Sequence, residues 1–400
     1  MPKVLLAHPG TQHAFPLARQ LAQRGLLGEF WTGLALREEA WWGRWLASSP
    51  MLRERLGNRL LSGVPRQRLH LQPWRELAAL WAIRRGKPAL EVFLARNQRF
   101  QRDVPSSALR TADAVIGFDT SSWILAERCR DLGRRFILDQ SIAHPLWKRR
   151  VFEEVAARYP DWRESIAPPL PAMLGHEQRE HELAATIVVA SSFTKRSLLA
   201  HGVPEMKLVV NPYGVDLEAF TPRRPSEGGR PFRFLFLGAL TARKGLPLLL
   251  EVWRKLAARR AELWLVGPAS PTVRRLIPDL PGLRFLGKRP HRDLPDILRR
   301  CDALAFPSYF EGFGLVVLES MACGVPVIAS DATVGPDLIE DGADGWLMTA
   351  GDAERLQSVM EEALSQPTKA FEMGRLARRK AEAYTWDAYG ARWQALLETA

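Results

Sequence analysis

The chain has 400 residues, 46% of them apolar and 25% charged, a globular composition too long for one hydrophobic core, so two domains are expected. No stretch approaches the run of roughly 18 apolar residues that a membrane span needs. The start, Met1-Pro-Lys3-Val-Leu, lacks the basic end and long apolar centre of a signal peptide, and three cysteines in apolar surroundings (Cys129, Cys301, Cys323) argue against a disulfide framework or a zinc site, so a cytoplasmic protein is expected.

The net charge of +12 is local. Residues 1 to 110 carry 18 Lys or Arg against 7 Asp or Glu, together with Trp31, Trp41, Trp42, Trp45, Trp74 and Trp81. Arginine beside tryptophan suits a surface resting on anionic lipid, an acidic-substrate groove or a nucleic-acid face, and no recognition-module signature supports the last.

In chain order, Lys3 to Ala7 reads as a first strand, His8 to His13 as its turn, and Phe15 to Arg24, closed by Gly25, as an amphipathic helix. One glycine in that turn, Gly10, is far short of a dinucleotide fingerprint. Residues 35 to 105 show helical stretches (Glu39 to Leu46, Glu76 to Arg85) broken by Pro50, Pro65, Pro73 and Pro88. They read as a helical elaboration whose tryptophans fill a small core or face a membrane or acceptor. Ala112 to Gly117 is a second strand, with Asp119 just past its end. The helix Trp123 to Leu132 and the strand Arg135 to Leu138 follow, and that strand runs on toward His144. Strand ends in open α/β sheets are where ligands meet side chains. A charged helical stretch, Glu177 to Ala185, precedes a strand from Thr186, a helix with Ser192 as a plausible cap, and the strand Lys207 to Val210. Thr221 to Arg230, rich in Pro, Gly and Arg, reads as an interdomain linker, so the domains are placed at 1–211 and 212–370.

The second domain opens with the strand Phe232 to Leu237 and the loop from Gly238 to Arg243-Lys244-Gly245 before the helix Leu246 to Arg260. Two cations before a helix start add formal charge to the helix dipole and can hold a diphosphate without a metal ion. Strands follow at Ala261 to Val266 and Leu283 to Leu286, then the loop Gly287-Lys288-Arg-Pro-His291 and a helix from Leu294 to Arg300. The strand Asp302 to Phe306 ends at Pro307. Beyond it, Gly312 and Gly314 let a loop bring its backbone close to another group, and Leu315 to Ala322 forms a helix. A helix N-terminus fed by a glycine loop at the C-terminal edge of a parallel sheet suits a phosphate. Glu311 and Glu319 flank that point, and a carboxylate there can accept hydrogen bonds from paired sugar hydroxyls.

Glu311-Gly-Phe-Gly-Leu-Val-Val-Leu-Glu319, with the following Met-Ala-Cys-Gly-Val-Pro-Val-Ile-Ala-Ser, resembles the Glu, seven residues, Glu motif of retaining GT-B glycosyltransferases and of glycosyltransferase family 4 in particular. The likeness runs over roughly residues 185 to 350 and includes Asn211-Pro-Tyr-Gly-Val-Asp216. It implies an α/β protein of two facing Rossmann-like, doubly wound domains with the site in the cleft between them, and C-terminal helices, 371–400, packed back on the first domain through Trp386 and Trp393.

The resemblance also implies roles. Arg243, Lys244 and the amides near Gly312, Phe313, Gly314 and Leu315 would hold the donor diphosphate, Glu311 the donor sugar and Glu319 the ribose, with Gly238, Gly287 and Lys288 near the nucleotide. His144 would be an active-site residue, and Gly10, Thr11 and Asp119 would face the acceptor. The partners implied are a nucleotide-diphospho-sugar and a saccharide or lipid-linked acceptor, with no cofactor. Composition, not the resemblance, adds an expected peripheral contact of the basic Trp-rich region with the inner face of an anionic membrane. No Asp-x-Asp metal signature is found. A sugar-nucleotide epimerase, a phosphorylase or a non-catalytic nucleotide binder of the same fold remain alternatives, although no pyridoxal lysine site is found.

Overall fold

Short apolar runs bounded by Gly, Pro or polar turns become strands buried on both faces, as parallel sheets require. The computed structural model describes residues 2–11, 13–37, 59–166, 171–224, 229–256 and 260–399. Strands β1 (Val4–His8), β2 (Leu27–Thr32), β5 (Leu69–Leu71), β6 (Ala114–Phe118), β7 (Arg135–Gln140), β8 (Thr186–Val189) and β9 (Leu208–Val210) form a parallel sheet in the order β5-β2-β1-β6-β7-β8-β9. β3 (Leu36–Arg37) and β4 (Leu60–Leu61) pair apart from it. β10 (Phe232–Leu237), β11 (Ala261–Val266), β12 (Leu283–Gly287), β13 (Ala303–Phe306), β14 (Val327–Ser330) and β15 (Trp346–Met348) form a second parallel sheet, β12-β11-β10-β13-β14-β15. Each sheet reverses its winding once, between β1 and β6 and between β10 and β13. Crevices at such switch points are where open α/β sheets bind ligands.

Region 35–105 meets the helical expectation in part, since Glu76 to Arg85 falls on the helix Pro73–Arg84. It supplies the edge strand β5, beside the equally unforeseen β2, and then a pair of helices, Pro73–Arg84 and Ala89–Asp103. The expected helix Glu39 to Leu46, with Trp41, Trp42 and Trp45, lies outside the described residues. These strands had no continuous apolar run to announce them, and pairing of β2 with β1 and of β5 with β2 overrides the weak local preference.

The first helix of that pair faces its acid inward. Glu76, 2% exposed, is clamped between Arg59 and Arg96, whose Nη1 lies 2.6 Å from Glu76 Oε2. Removing the shared anion leaves two half-buried cations facing each other. Glu76→Ala is therefore expected to cost about 3–5 kcal/mol, read as a shifted chemical-denaturation midpoint.

The C-terminal stretch is two helices, Pro367–Ala381 and Trp386–Glu398. The second crosses to the first domain, where Trp393 is fully buried, Arg24 Nη2 lies 2.7 Å from Asp387 Oδ1, and Arg392 donates to Asn211 Oδ1 at 2.6 Å and to the Pro212 carbonyl at 2.8 Å. Gly214 makes this crossing possible, since a Cβ there would sit 2.2 Å from the Trp386 nitrogen. The segment read as a linker is pinned to the second domain: Arg223 and Arg230 both pair with Asp302, at 2.8 and 2.6 Å.

Candidate active site

The two switch points face each other. The loops after β10 and β13 come from the second domain, the loops after β1, β6 and β7 from the first, and they enclose a cleft of about 610 Å³ lined by His13, Asp119, Lys148, Arg243, Lys244 and Glu311, with Leu315 and Val316 at its helical end. The glycine loop is held by close backbone approach. A Cβ on Gly312 would meet the Ser141 carbonyl at 1.8 Å, and the Gly312 carbonyl accepts from Ser191 Oγ at 2.5 Å and Thr194 Oγ1 at 3.1 Å. Gly314, at φ 90°, then turns the chain into the helix Leu315–Ala322 in a left-handed conformation that a side chain would strain. The first N–H groups of that helix lack intrahelical acceptors and carry the positive end of its dipole.

Beside that helix end lies a compact ionic cluster. Glu311 Oε1 is 2.8 Å from Arg243 Nη1 and 2.7 Å from Lys244 Nζ, and Arg243 Nη1 also donates to the Phe310 carbonyl at 2.8 Å. Burial alone would raise the Glu311 carboxyl, but the Lys244 and Arg243 charges more than offset it and hold it below its ordinary value. One carboxylate thus pairs with two cations aimed into the cleft and leaves the cluster net positive. The loop that carries them is pressed onto the next strand end: a Cβ on Gly245 would meet the Pro307 carbonyl at 2.0 Å, and Gly238, at φ 145°, lies under the Lys244 side chain.

Glu319 stands one turn further along the helix and faces away from this cluster. It is 6% exposed, and its Oε1 lies 2.8 Å from His291 Nε2, which pushes the His291 imidazole up from its ordinary value. Gly287 and Lys288 open the same loop as His291, so they sit at that sheet edge and do not line the cleft. Lys288 is exposed.

On the first domain, Asp119 Oδ1 accepts from the Ser141 N–H at 2.8 Å. His13 Nδ1 is 3.1 Å from the Tyr213 hydroxyl, and His13 Nε2 is 3.0 Å from Asp139 Oδ1, too bent for a hydrogen bond. Gly10 and Thr11 are in the same loop but off the cleft wall: the Gly10 carbonyl accepts from Thr32 Oγ1 at 3.3 Å, and the Thr11 carbonyl starts the helix Ala14–Gln23 by accepting from the Ala14 N–H.

Lys148 pairs with the buried Glu177 at 2.9 Å, and Glu180, fully buried, accepts from the N–H groups of Thr120 and Ser122 at 2.9 and 2.8 Å. Burial raises both carboxyls, that of Glu180 strongly. Glu180 thereby holds the loop that carries Asp119, whose Thr120 has φ 63°, the one positive φ outside glycine among the described residues. The stretch Glu177 to Ala185 read as an ordinary charged helix; two of its acids, Glu177 and Glu180, in fact lie buried beneath the first domain's side of the cleft.

His144 is a correction. It does not reach the cleft: it caps the helix Pro145–Arg158, its Nδ1 accepting from the Leu146 N–H at 3.2 Å, and stacks on His201 at 4.4 Å in a separate cavity with His181. Burial pushes its imidazole down to about 3, so it is neutral near pH 7. The chain turns away after Ser141, and three residues of loop carry His144 past the strand end. His144→Ala is expected to leave turnover within about threefold of wild type while costing about 1 kcal/mol in stability through the lost cap, seen in parallel rate and melting measurements.

The fold is that of the GT-B glycosyltransferases. The chain aligns over its whole length with Alr3699/HepE from Anabaena, solved in complex with UDP and glucose, at a TM-score of 0.65 and 16% identity, covering all of both chains. Residues 231–366, in the second domain, match the family model described as Glycosyl transferases group 1. Among curated relatives, MMP alpha-(1->4)-mannosyltransferase of Mycolicibacterium hassiacum is 29% identical over 66% of this chain. GDP-mannose-dependent monoacylated alpha-(1-6)-phosphatidylinositol monomannoside mannosyltransferase of Corynebacterium glutamicum is 30% identical over 47%. The chain spans 66% and 55% of those relatives' lengths, respectively.

Proposed function

We propose that this protein is a retaining glycosyltransferase that moves a sugar from a nucleotide-diphospho-sugar to a saccharide or lipid-linked acceptor. The observation that carries the reading is the Arg243, Lys244 and Glu311 cluster beside a glycine-fed helix N-terminus at the second domain's switch point. The relatives' names, all sugar transferases, support the class, and the GDP-mannose and phosphatidylinositol mannoside in one of them agree with such a donor and a lipid-borne acceptor.

In this reading the diphosphate rests on Arg243, Lys244 and the amides around Phe313, Gly314 and Leu315, Glu311 accepts from donor sugar hydroxyls, and Glu319 accepts from the ribose. As the bond from the anomeric carbon to the phosphate oxygen breaks, negative charge grows on that oxygen, and fixed cations and amides stabilise it without reorganising. The acceptor hydroxyl bonds to the anomeric carbon on the same face, and its proton passes to the leaving phosphate. Asp119 and His13 stand across the cleft, where the acceptor must lie. The two cations do the electrostatic work that a divalent ion does elsewhere, so activity is expected to survive EDTA. Among the described residues no helix is long and apolar enough to cross a membrane, and the proposed setting is the cytoplasmic face, peripherally.

A thermal-shift screen of UDP, GDP and ADP and their sugars tests the donor site, because a ligand that binds only the folded state raises the melting temperature. One nucleotide series should stabilise the protein, and Lys244→Ala should shrink the shift. Equal melting with every nucleotide would end the reading.

A further inference from the structure

The helix Pro73–Arg84 is built inside out. Its inward face carries Glu76 and Ala79, its only buried residues, while Trp74 is 79% exposed, Trp81 56% and Leu77 45%. Positions 74, 77 and 81 are spaced i, i+3, i+7 and so share one face. A core helix would bury them. Here the Arg59–Glu76–Arg96 clamp fixes the opposite face inward, so the apolar stripe is held toward solvent by an ion cluster. At its C-terminal end the exposed Arg84, Arg85 and Lys87 follow without an acidic residue, and the Arg85 guanidinium lies 3.8 Å over the Trp81 ring.

We infer that this face docks on an anionic lipid surface. Tryptophan and leucine enter the boundary between head groups and acyl chains, and the neighbouring cations gain from anionic head groups within a Debye length. A second copy of the chain fits the charge worse, because a twofold contact would set the same three cations against themselves. The next helix begins beside the cleft, where Leu90 lines the cavity with His13 and Asp119. Docking therefore turns the acceptor side of the cleft toward the bilayer, which deepens the proposed transfer to a lipid-borne acceptor without depending on it.

The test is flotation of the full chain with vesicles of phosphatidylcholine alone and of an equal mixture with phosphatidylglycerol. The wild type should float with the mixed vesicles only, and added salt should release it. Trp74→Ser/Leu77→Ser/Trp81→Ser and, separately, Arg84→Gln/Arg85→Gln/Lys87→Gln should each weaken binding by about tenfold or more. These side chains are exposed, so unchanged melting curves show that the fold is kept, and an unchanged nucleotide thermal shift keeps this test separate from that of the donor site. Indifference of the wild type to mixed vesicles, or flotation of the serine variant at the wild-type level, would overturn the inference. So would a wild-type dimer that ignores vesicles and dissociates on the serine substitutions.

Discussion

Replacing Lys244 by alanine is expected to lower turnover by about a hundred- to a thousandfold, and Arg243→Ala by a similar factor, with donor binding reduced less than rate. The reason is where the charge develops. The ground-state donor already spreads charge over its diphosphate, but the leaving group gains more as the glycosidic bond opens, and a cation fixed beside the bridging oxygen favours that state over the first. Both cations are fixed: the Tyr309 N–H donates to the Arg243 carbonyl at 2.8 Å, and Lys244 lies along Gly238 with its ammonium on Glu311. Stopped transfer kinetics at saturating donor separates rate from binding. Wild-type turnover in both variants would remove these residues from the mechanism.

Glu311→Gln is expected to act in opposite directions on binding and on rate. Glu311 is the counter-ion of both cations, so in the proposed reading a nucleoside diphosphate displaces a carboxylate from Arg243 and Lys244 as it binds them. The neutral amide of the variant leaves no charge to displace. Nucleoside diphosphate affinity should therefore rise by about tenfold, roughly one partly exposed ion pair's worth of energy, while sugar transfer falls because the donor sugar loses an acceptor for its hydroxyls. Calorimetry with the diphosphate and assay with the sugar nucleotide read the two effects. Weaker diphosphate binding in Glu311→Gln would show that the carboxylate does not compete with the diphosphate.

Acid stability gives an independent check. With its folded value depressed below the ordinary 4.5, Glu311 stabilises the protein fully above that pH and loses its contribution as the pH falls through the depressed value. The variant should melt lower than wild type at pH 7 and converge with it in acid. Added diphosphate should restore more of its melting temperature than it adds to the wild type.

Much of the second domain was legible in the amino-acid order. β10 and β11 coincide with their apolar runs, and the helix Leu315–Ala322 falls where the glycine loop and Gly324 place it, because continuous apolar segments between Gly and Pro leave a buried parallel strand or core helix as the economical solution. Arg243, Lys244 and Glu311 were singled out by the family resemblance of their motifs, and the structure brings the three together in one ionic cluster. Residues of the first domain's cleft were harder. Asp139 and Tyr213 carry no local signal, since Asp139 lies inside a strand like any other and Tyr213 meets His13 only because the fold brings two segments 200 residues apart together. Glu177 and Glu180 looked like solvated helix charges, and no pattern in the chain distinguishes a carboxylate that faces water from one that faces the backbone amides of a distant loop. His144 shows the reverse error, a histidine after a strand end whose loop turns away from the cleft.

The order of residues by itself determined two parallel sheets, their strand ends, and a cationic pair and a glycine-fed helix start on the second of them, because these follow from local periodicity and from glycine and proline chemistry. Only the tertiary structure decided that Glu311 pairs with both cations, that Glu319 turns toward His291, that a buried Glu180 holds the loop of Asp119, and that the helix of Trp74 and Trp81 shows its apolar face to solvent. Each of those depends on which side chains meet across long separations, and burial and ion pairing are properties of the assembled neighbourhood, which spacing along the chain does not encode.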